Sequence, residues 1–188
     1  RGWYSPFGKG LWFSLILRPD FPPAEAPKCT LMAAVALTKA FHKMGLTDAG
    51  IKWPNDIVVN SKKICGILTE MSSDIDGIKY IISGVGINVN NDEFPADIAN
   101  TASSLLIETG IVMDRARLIA SVIYHFYENF DIFLQTEDMT SIKAKYESHL
   151  ANVGRKVRIL DPKGEYNATA LGIDKTGALL VNADGKVK

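Results

Sequence analysis

The chain reads as an α+β protein: a mixed β-sheet with helices on one side, followed by a small β-barrel-like unit. Three observations predict this. Short apolar runs punctuated by turn residues fill residues 11–90, the pattern of strands and hairpins. Leu118, Val122, Ile123, Phe126, Phe130 and Phe133 then recur at helical spacing, which makes one buried stripe. After Asn152 the texture changes to short strands broken by Pro162-Lys-Gly, Lys175-Thr-Gly and Ala183-Asp-Gly. Residues 1–151 are therefore expected to form one unit and residues 152–188 a second, incomplete one. Three short strands are marginal alone, so the second unit should pack on the first.

The elements follow in order. Arg1 to Gly8 is irregular and turn-rich, and it opens without an initiator Met, as if inside a motif. Leu11 to Arg18 is apolar and aromatic and predicts a strand. Pro19 to Pro27 holds four prolines and must be a loop. Thr30 is placed to cap a helix that Gly45 ends. Ile51 to Trp53 is extended, because Pro54 disfavours helical backbone before it. Asp56–Val59 and Ile64–Glu70 predict a hairpin turning at Asn60-Ser61-Lys62. Lys79–Ser83 predicts a strand running into Gly84-Val-Gly-Ile-Asn, with Asp76-Gly77 as the preceding turn. A loop over 92–102, a short helix over 103–109, an Asp114-capped helix to Leu134 and a helix over 139–150 complete the unit. Strands follow at 157–160, 166–173 and 178–181.

Composition excludes several classes. Twenty-one Lys and Arg balance twenty-one Asp and Glu, whereas general polyanion binders are usually basic; no nucleic-acid contact is expected of these residues. Cys29 and Cys65 make neither a disulfide framework nor a zinc spacing and read as buried thiols of a reducing compartment. His42, His125 and His149 lie isolated in helix-like contexts and read as packing residues. No apolar run approaches the ~20 residues that span a bilayer, and no signal peptide opens the chain, so a cytoplasmic location is expected.

Three segments carry chemistry: Lys52-Trp-Pro-Asn-Asp56, Lys62-Lys-Ile-Cys-Gly-Ile-Leu68 and Gly84-Val-Gly-Ile-Asn-Val-Asn90. Singly, each has a plain structural explanation: a tight turn with an aromatic plug, a solvated hairpin tip, and a strand end approached closely by another backbone. The glycine segment is not a dinucleotide fingerprint, since neither the G-x-G-x-x-G spacing nor a helix follows. Together, on successive strands, they would place cations beside open backbone. An acid-activating site needs this, because a carboxylate and a phosphate repel and must be held together by fixed positive charge. Asp56 adds a carboxylate able to hold magnesium or accept a proton.

In order and spacing these segments resemble the core of the biotin protein ligases. Arg1-Gly-Trp-Tyr-Ser-Pro-Phe-Gly resembles the end of that family's biotin-binding loop, and the final strands resemble its small C-terminal β-barrel. The resemblance implies that biotin and ATP give biotinyl-adenylate and pyrophosphate, and that a lysine of a biotin carboxyl carrier protein then takes the biotin. It implies that Lys63 contacts the biotin carboxylate and the bridging phosphate oxygen, and that Lys52 lies near the phosphates. Asn55 and Asn88 would serve the nucleotide. Asp56 would serve Mg2+ and the proton of the acceptor lysine. Gly66 and Gly84 would let the biotin ring lie close, Trp3, Pro6 and Leu68 would form apolar walls, and Arg1 would be the loop's last arginine. The loop's Gly-Arg-rich half, and the upstream strand end that would bind the ureido group, do not occur in the sequence. A lipoate or octanoate transferase of the same broad fold and a non-catalytic biotin-binding regulator are the alternatives. A homodimer through a sheet edge is compatible with the resemblance.

Overall fold

The computed structural model describes residues 4–136 and 139–188. Among them, β1 (Leu11–Leu17), β2 (Gly50–Lys52), β3 (Asp56–Val59), β4 (Lys62–Asp74) and β5 (Gly77–Ile87) form one sheet, in the order β1-β5-β4-β3-β2. Every strand pair in it is antiparallel. Parallel pairing is confined to two isolated bridges, Ile51 with Leu150 and Lys63 with Ala102.

Alternation sorts the sheet into two faces. Leu15, Leu17, Ile57, Cys65, Ile67, Ile81, Val85 and Ile87 point to one and are buried. Helix α1 (Lys28–Lys43) covers that face. It is apolar nearly all round, because it lies between the sheet and two further helices, α3 (Arg115–Thr136) and α4 (Thr140–Ser148). α1 begins earlier than Thr30 would have it. The proline-rich lead with Pro27 as N-cap starts it, and Thr30 sits inside, its hydroxyl donating to Thr69 Oγ1 of β4 at 2.8 Å.

The expected stripe of α3 is buried as Leu118, Val122, Phe126, Phe130 and Phe133, with Phe126 stacked on Phe130 at 5.7 Å. Asp114 caps it, accepting from the N–H groups of Ala116 and Arg117. The short helix α2 (Leu105–Thr109) is capped by Ser104 Oγ, which accepts from the N–H of Ile107. The histidines pack as expected: His125 pairs with Glu128 at 2.9 Å, and the His42 ring meets His149 edge-on at 4.9 Å.

A second antiparallel sheet follows: β6 (Lys156–Ile159), β7 (Tyr166–Ile173), β8 (Leu179–Ala183) and β9 (Lys186–Val187), in that order. The last strand was not expected. Its own core is small, Ala168, Val181 and Ala183, so it leans on the main body. Ile173 belongs to the main core, and its N–H donates to Glu147 Oε1 of α4 at 2.9 Å. Among the described residues no helix is long and apolar enough to cross a membrane.

Candidate functional site

The sheet face away from α1 carries the three motifs. Register lines up one row across all five strands: Trp12 opposite Gly86, Gly86 opposite Gly66, Gly66 opposite Asp56, and Asp56 opposite Lys52. The neighbouring row sets Ser14, Gly84 and Leu68 side by side. Glycines at 66, 84 and 86 leave the middle of this face bare, and Trp12, Ser14 and Leu68 stand around it. The hollow measures about 350 Å³ and is lined by Trp12, Ser14, Gly66, Leu68 and Gly84 among others. Strands lie ~4.8 Å apart, so Asp56 sits about 14 Å across the face from Trp12. Leu68 is 62% exposed, an apolar side chain open to a guest.

The expectation that the glycines end a strand is corrected here: β5 continues through them to Ile87. An alanine Cβ at Gly84 would meet Leu68 O at 3.4 Å and Ser14 Oγ at 3.9 Å, ordinary contact. Neither packing nor dihedral among the described residues demands glycine there. The missing side chain makes open floor.

One irregularity places Lys63. Cys65 pairs with Ile57, but Lys63 pairs with Val58, so β4 carries one extra residue there, a β-bulge. Strict alternation would have sent Lys63 into the core beside Cys65. The bulge turns it to the face of Asp56, and its Nζ lies 2.6 Å from Asp56 Oδ1. The Lys63 backbone is fixed by its N–H donating to Thr101 O at 2.8 Å and its carbonyl accepting from Ser103 N at 2.9 Å. The hairpin turn is Asn60-Ser61, with φ of 50° and 65°, and Lys62 already belongs to β4. Beneath the floor, burial pushes the Cys65 thiol up and the Cys29 thiol up to about 12, so both are inert thiols rather than nucleophiles.

The structure thus brings together Lys52, Asp56, Lys63, Gly66, Leu68 and Gly84. Asn55 lies in the turn before β3, its Nδ2 donating to Ile67 O at 2.6 Å. Asn88 stands just past β5, buried, with its Nδ2 donating to Ser103 O at 3.0 Å. Pro6 lines an adjoining hollow with Gly10, Trp12 and Arg115. Arg1 and Trp3 lie outside the described residues. Sequence reasoning missed Trp12, Ser14 and Gly86; the period of two along β1 and β5 was the signal that could have found them. Among the described residues no group of three or more His, Cys, Asp or Glu is placed to hold a metal. Asp56 is the one carboxylate in the three motifs, and a magnesium carried by phosphates needs only one or two protein carboxylates.

The Biotin/lipoate A/B protein ligase family model matches residues 1–88, and that of the biotin protein ligase C terminal domain matches residues 153–188. A biotin protein ligase from Aquifex aeolicus, solved in complex with biotin and ATP, superposes with a TM-score of 0.87 at 30% identity, over 100% of this chain and 77% of that one. The chain belongs to the biotin protein ligase family. Among curated relatives, the bifunctional ligase/repressor BirA of Bacillus spizizenii is 40% identical over 100% of this chain and 58% of its own length. The biotin–[acetyl-CoA-carboxylase] ligase of Paracoccus denitrificans is 27% identical over 96% of this chain and 77% of its own. The chain spans 58% of the length of the BirA relatives it matches. The three motifs meet on one face of the sheet: the bare floor on β5 and β4, and the charged end on β4, β3 and β2.

Proposed function

We propose that this chain carries the catalytic machinery of a biotin protein ligase, activating biotin with ATP and passing it to a lysine of a biotin carboxyl carrier protein. The observation that carries the reading is the Lys63–Asp56 pair set beside a glycine floor. The bicyclic ring system of biotin lies on Gly66 and Gly84 against Leu68, and the carboxylate of its side chain reaches Lys63. Pro6 adds an apolar wall, and Arg1 and Trp3 complete the set of biotin-binding residues. Lys52, Asn55 and Asn88 serve the nucleotide.

The first step joins two anions. Two unit charges 4 Å apart repel by ~4 kcal/mol at an effective dielectric constant of 20, and one ammonium held at the same range offsets that. Lys63 takes this place when the substrates displace Asp56 from it. A carboxylate oxygen attacks the α-phosphorus, and pyrophosphate leaves with the electrons of the broken P–O bond. In the second step the acceptor amine attacks the acyl carbon and AMP leaves. Asp56, now released from Lys63, accepts the amine's proton. A magnesium carried by the phosphates would have Asp56 as its protein ligand in the first step.

We further place the division between the two units at 151/152 and the protein in the cytoplasm, where two free buried thiols persist. The stretch of β4 beyond Gly66 extends past its pairing with β3 and offers an edge for a homodimer. Pyrophosphate release that requires both biotin and ATP, and a mass increase on a carrier domain, test the function. Release driven by lipoate instead of biotin would assign the other branch of the family, and biotin binding without release would assign a regulator.

A further inference from the structure

The end of the β2–β3 hairpin is held from outside its own sheet. β2 and β3 share three residue pairs, and Lys52 with Asp56 is the last of them. A terminal pair in so short a ladder would fray, yet both side chains must stay in place for the nucleotide step. The connecting residues Trp53, Pro54 and Asn55 are gripped on two sides. From the floor, Ile67 N donates to Asn55 O at 2.9 Å, and Asn55 Nδ2 returns a bond to Ile67 O. From the C-terminal side, Trp53 N donates to Asn152 Oδ1 at 2.9 Å, Trp53 Nε1 donates to Gly177 O at 2.9 Å, and Tyr146 Oη donates to Pro54 O at 3.0 Å.

The group that receives the indole is itself rigid. Asp174 Oδ1 accepts from Thr176 N, Thr176 Oγ1 and Ala178 N at 2.7–3.0 Å, closing the turn between β7 and β8. Gly177 has φ +90°, and a Cβ there would meet Leu31 Cδ1 of α1 at 2.6 Å. Its carbonyl is therefore aimed by the second sheet and by α1 together.

We propose that Trp53 is a positioning residue through which the C-terminal sheet, by way of Asn152 and the Gly177 carbonyl, holds Lys52 and Asp56 in register for the nucleotide. It acts through these residues rather than on the substrate. The glycine floor lies on β5 and β4 with Trp12 and Ser14 of β1, and the bonds of Trp53 run away from it. Loosening Trp53 therefore weakens the nucleotide end and spares the biotin end. The inference rests on the reading that Lys52 and Asp56 face the nucleotide.

The test uses steady-state pyrophosphate release by the full protein, with biotin and ATP varied in turn. Trp53→Phe keeps the ring and removes the Nε1 donor. Asn152→Leu removes the acceptor for Trp53 N, and Asn152→Asp restores it. One lost hydrogen bond corresponds to roughly a three- to tenfold change. The KM for ATP rises by about that factor in Trp53→Phe and Asn152→Leu, the KM for biotin stays within twofold, and Asn152→Asp returns to near the unaltered protein. Two results overturn the proposal: an unchanged KM for ATP in both variants, or KM values for ATP and biotin that rise together. Lys63→Ala, assayed alongside, separates the two levels. If the unaltered protein releases pyrophosphate and Lys63→Ala does not, a negative result in the Trp53 variants sinks this inference alone. If the unaltered protein releases none, the ligase reading and this inference fall together.

Discussion

Replacing Gly84 by alanine adds one methyl to the bare floor, and its effects on stability and on binding have opposite signs. The nearest protein atoms to that methyl are Leu68 O at 3.4 Å and Ser14 Oγ at 3.9 Å, so the fold accepts it. Removing backbone freedom from the unfolded chain at a compatible position stabilises by ~0.4–1 kcal/mol. At ~2–4 °C per kcal/mol for a chain of this size, the melting temperature rises by about 1–4 °C. A ring lying on the floor meets the methyl head-on. Overpacking of one carbon into a fitted contact costs ~1–3 kcal/mol, a roughly 5- to 150-fold loss of affinity. Differential scanning calorimetry reads the first effect and isothermal titration with biotin the second. Unchanged biotin affinity in a stable Gly84→Ala would show that the ring does not lie here. A melting temperature several degrees lower would show that the glycine serves the fold.

Lys63→Ala should cut adenylate formation by two to three orders of magnitude, the range for removing one group that stabilises developing charge, with little change in stability because its pair with Asp56 is 39% and 24% exposed and such pairs contribute ~0–1 kcal/mol. Lys63→Arg should rescue poorly, since a planar fork does not replace a compact ammonium; wild-type adenylation in Lys63→Ala would refute the assignment. Asp56→Asn should remain folded and be slow in both half-reactions, and near-normal single-turnover rates would make the carboxylate structural only. Burial, reinforced by the facing His42, lowers the His149 pKa, so the folded state resists protonation. Stability should then fall as pH drops below about 6.5, where an unfolded histidine takes up its proton; His149→Gln should flatten the melting temperature between pH 7.5 and 5.5, and an unaltered slope would count against the effect. Glu128 is held down to about 2, first by its bond to Lys39 and then by His125. Its contribution is full above the ordinary carboxylate range and is lost as pH falls from ~4.5 toward 2; Glu128→Gln should destabilise at pH 7 by ~1 kcal/mol or less and not at pH 2.

Much of this was legible in the residues. The apolar runs of β1 and β3, turn residues at 60–61 and the helical stripe of α3 are local signals, and local physics sets them. The ordered motifs identified the candidate site before any geometry. What stayed hidden was set by distant or minimal causes. The bulge that turns Lys63 is a one-residue offset with no compositional mark. The full length of β4 was masked by its far end, Met71 to Asp74, which is largely exposed and mostly polar and reads as loop. Glycine usually weakens strands, so Gly84 and Gly86 were read as a strand end. Thr30 lost its capping role to the prolines before it, and the partner of the Trp53 indole lies 124 residues away, beyond any window of sequence.

The offset at residue 64 has a hereditary consequence. Most single-codon losses in a sheet slide every later side chain to the wrong face. Here the strand already carries one surplus residue, so losing Ile64 would close the ladder, leave Cys65, Ile67 and Thr69 where they are, and seat Lys63 directly before Cys65, still opposite Val58 and on the face of Asp56. The ammonium would keep its face, and the loss would fall on the core, where Ile64 is fully buried. A lineage could thus keep both a well-paired sheet and the Lys63–Asp56 pair through that deletion while losing one core side chain. Point substitutions at Lys63 and codon loss at Ile64 should therefore produce different phenotypes, one removing the charge and the other weakening the core.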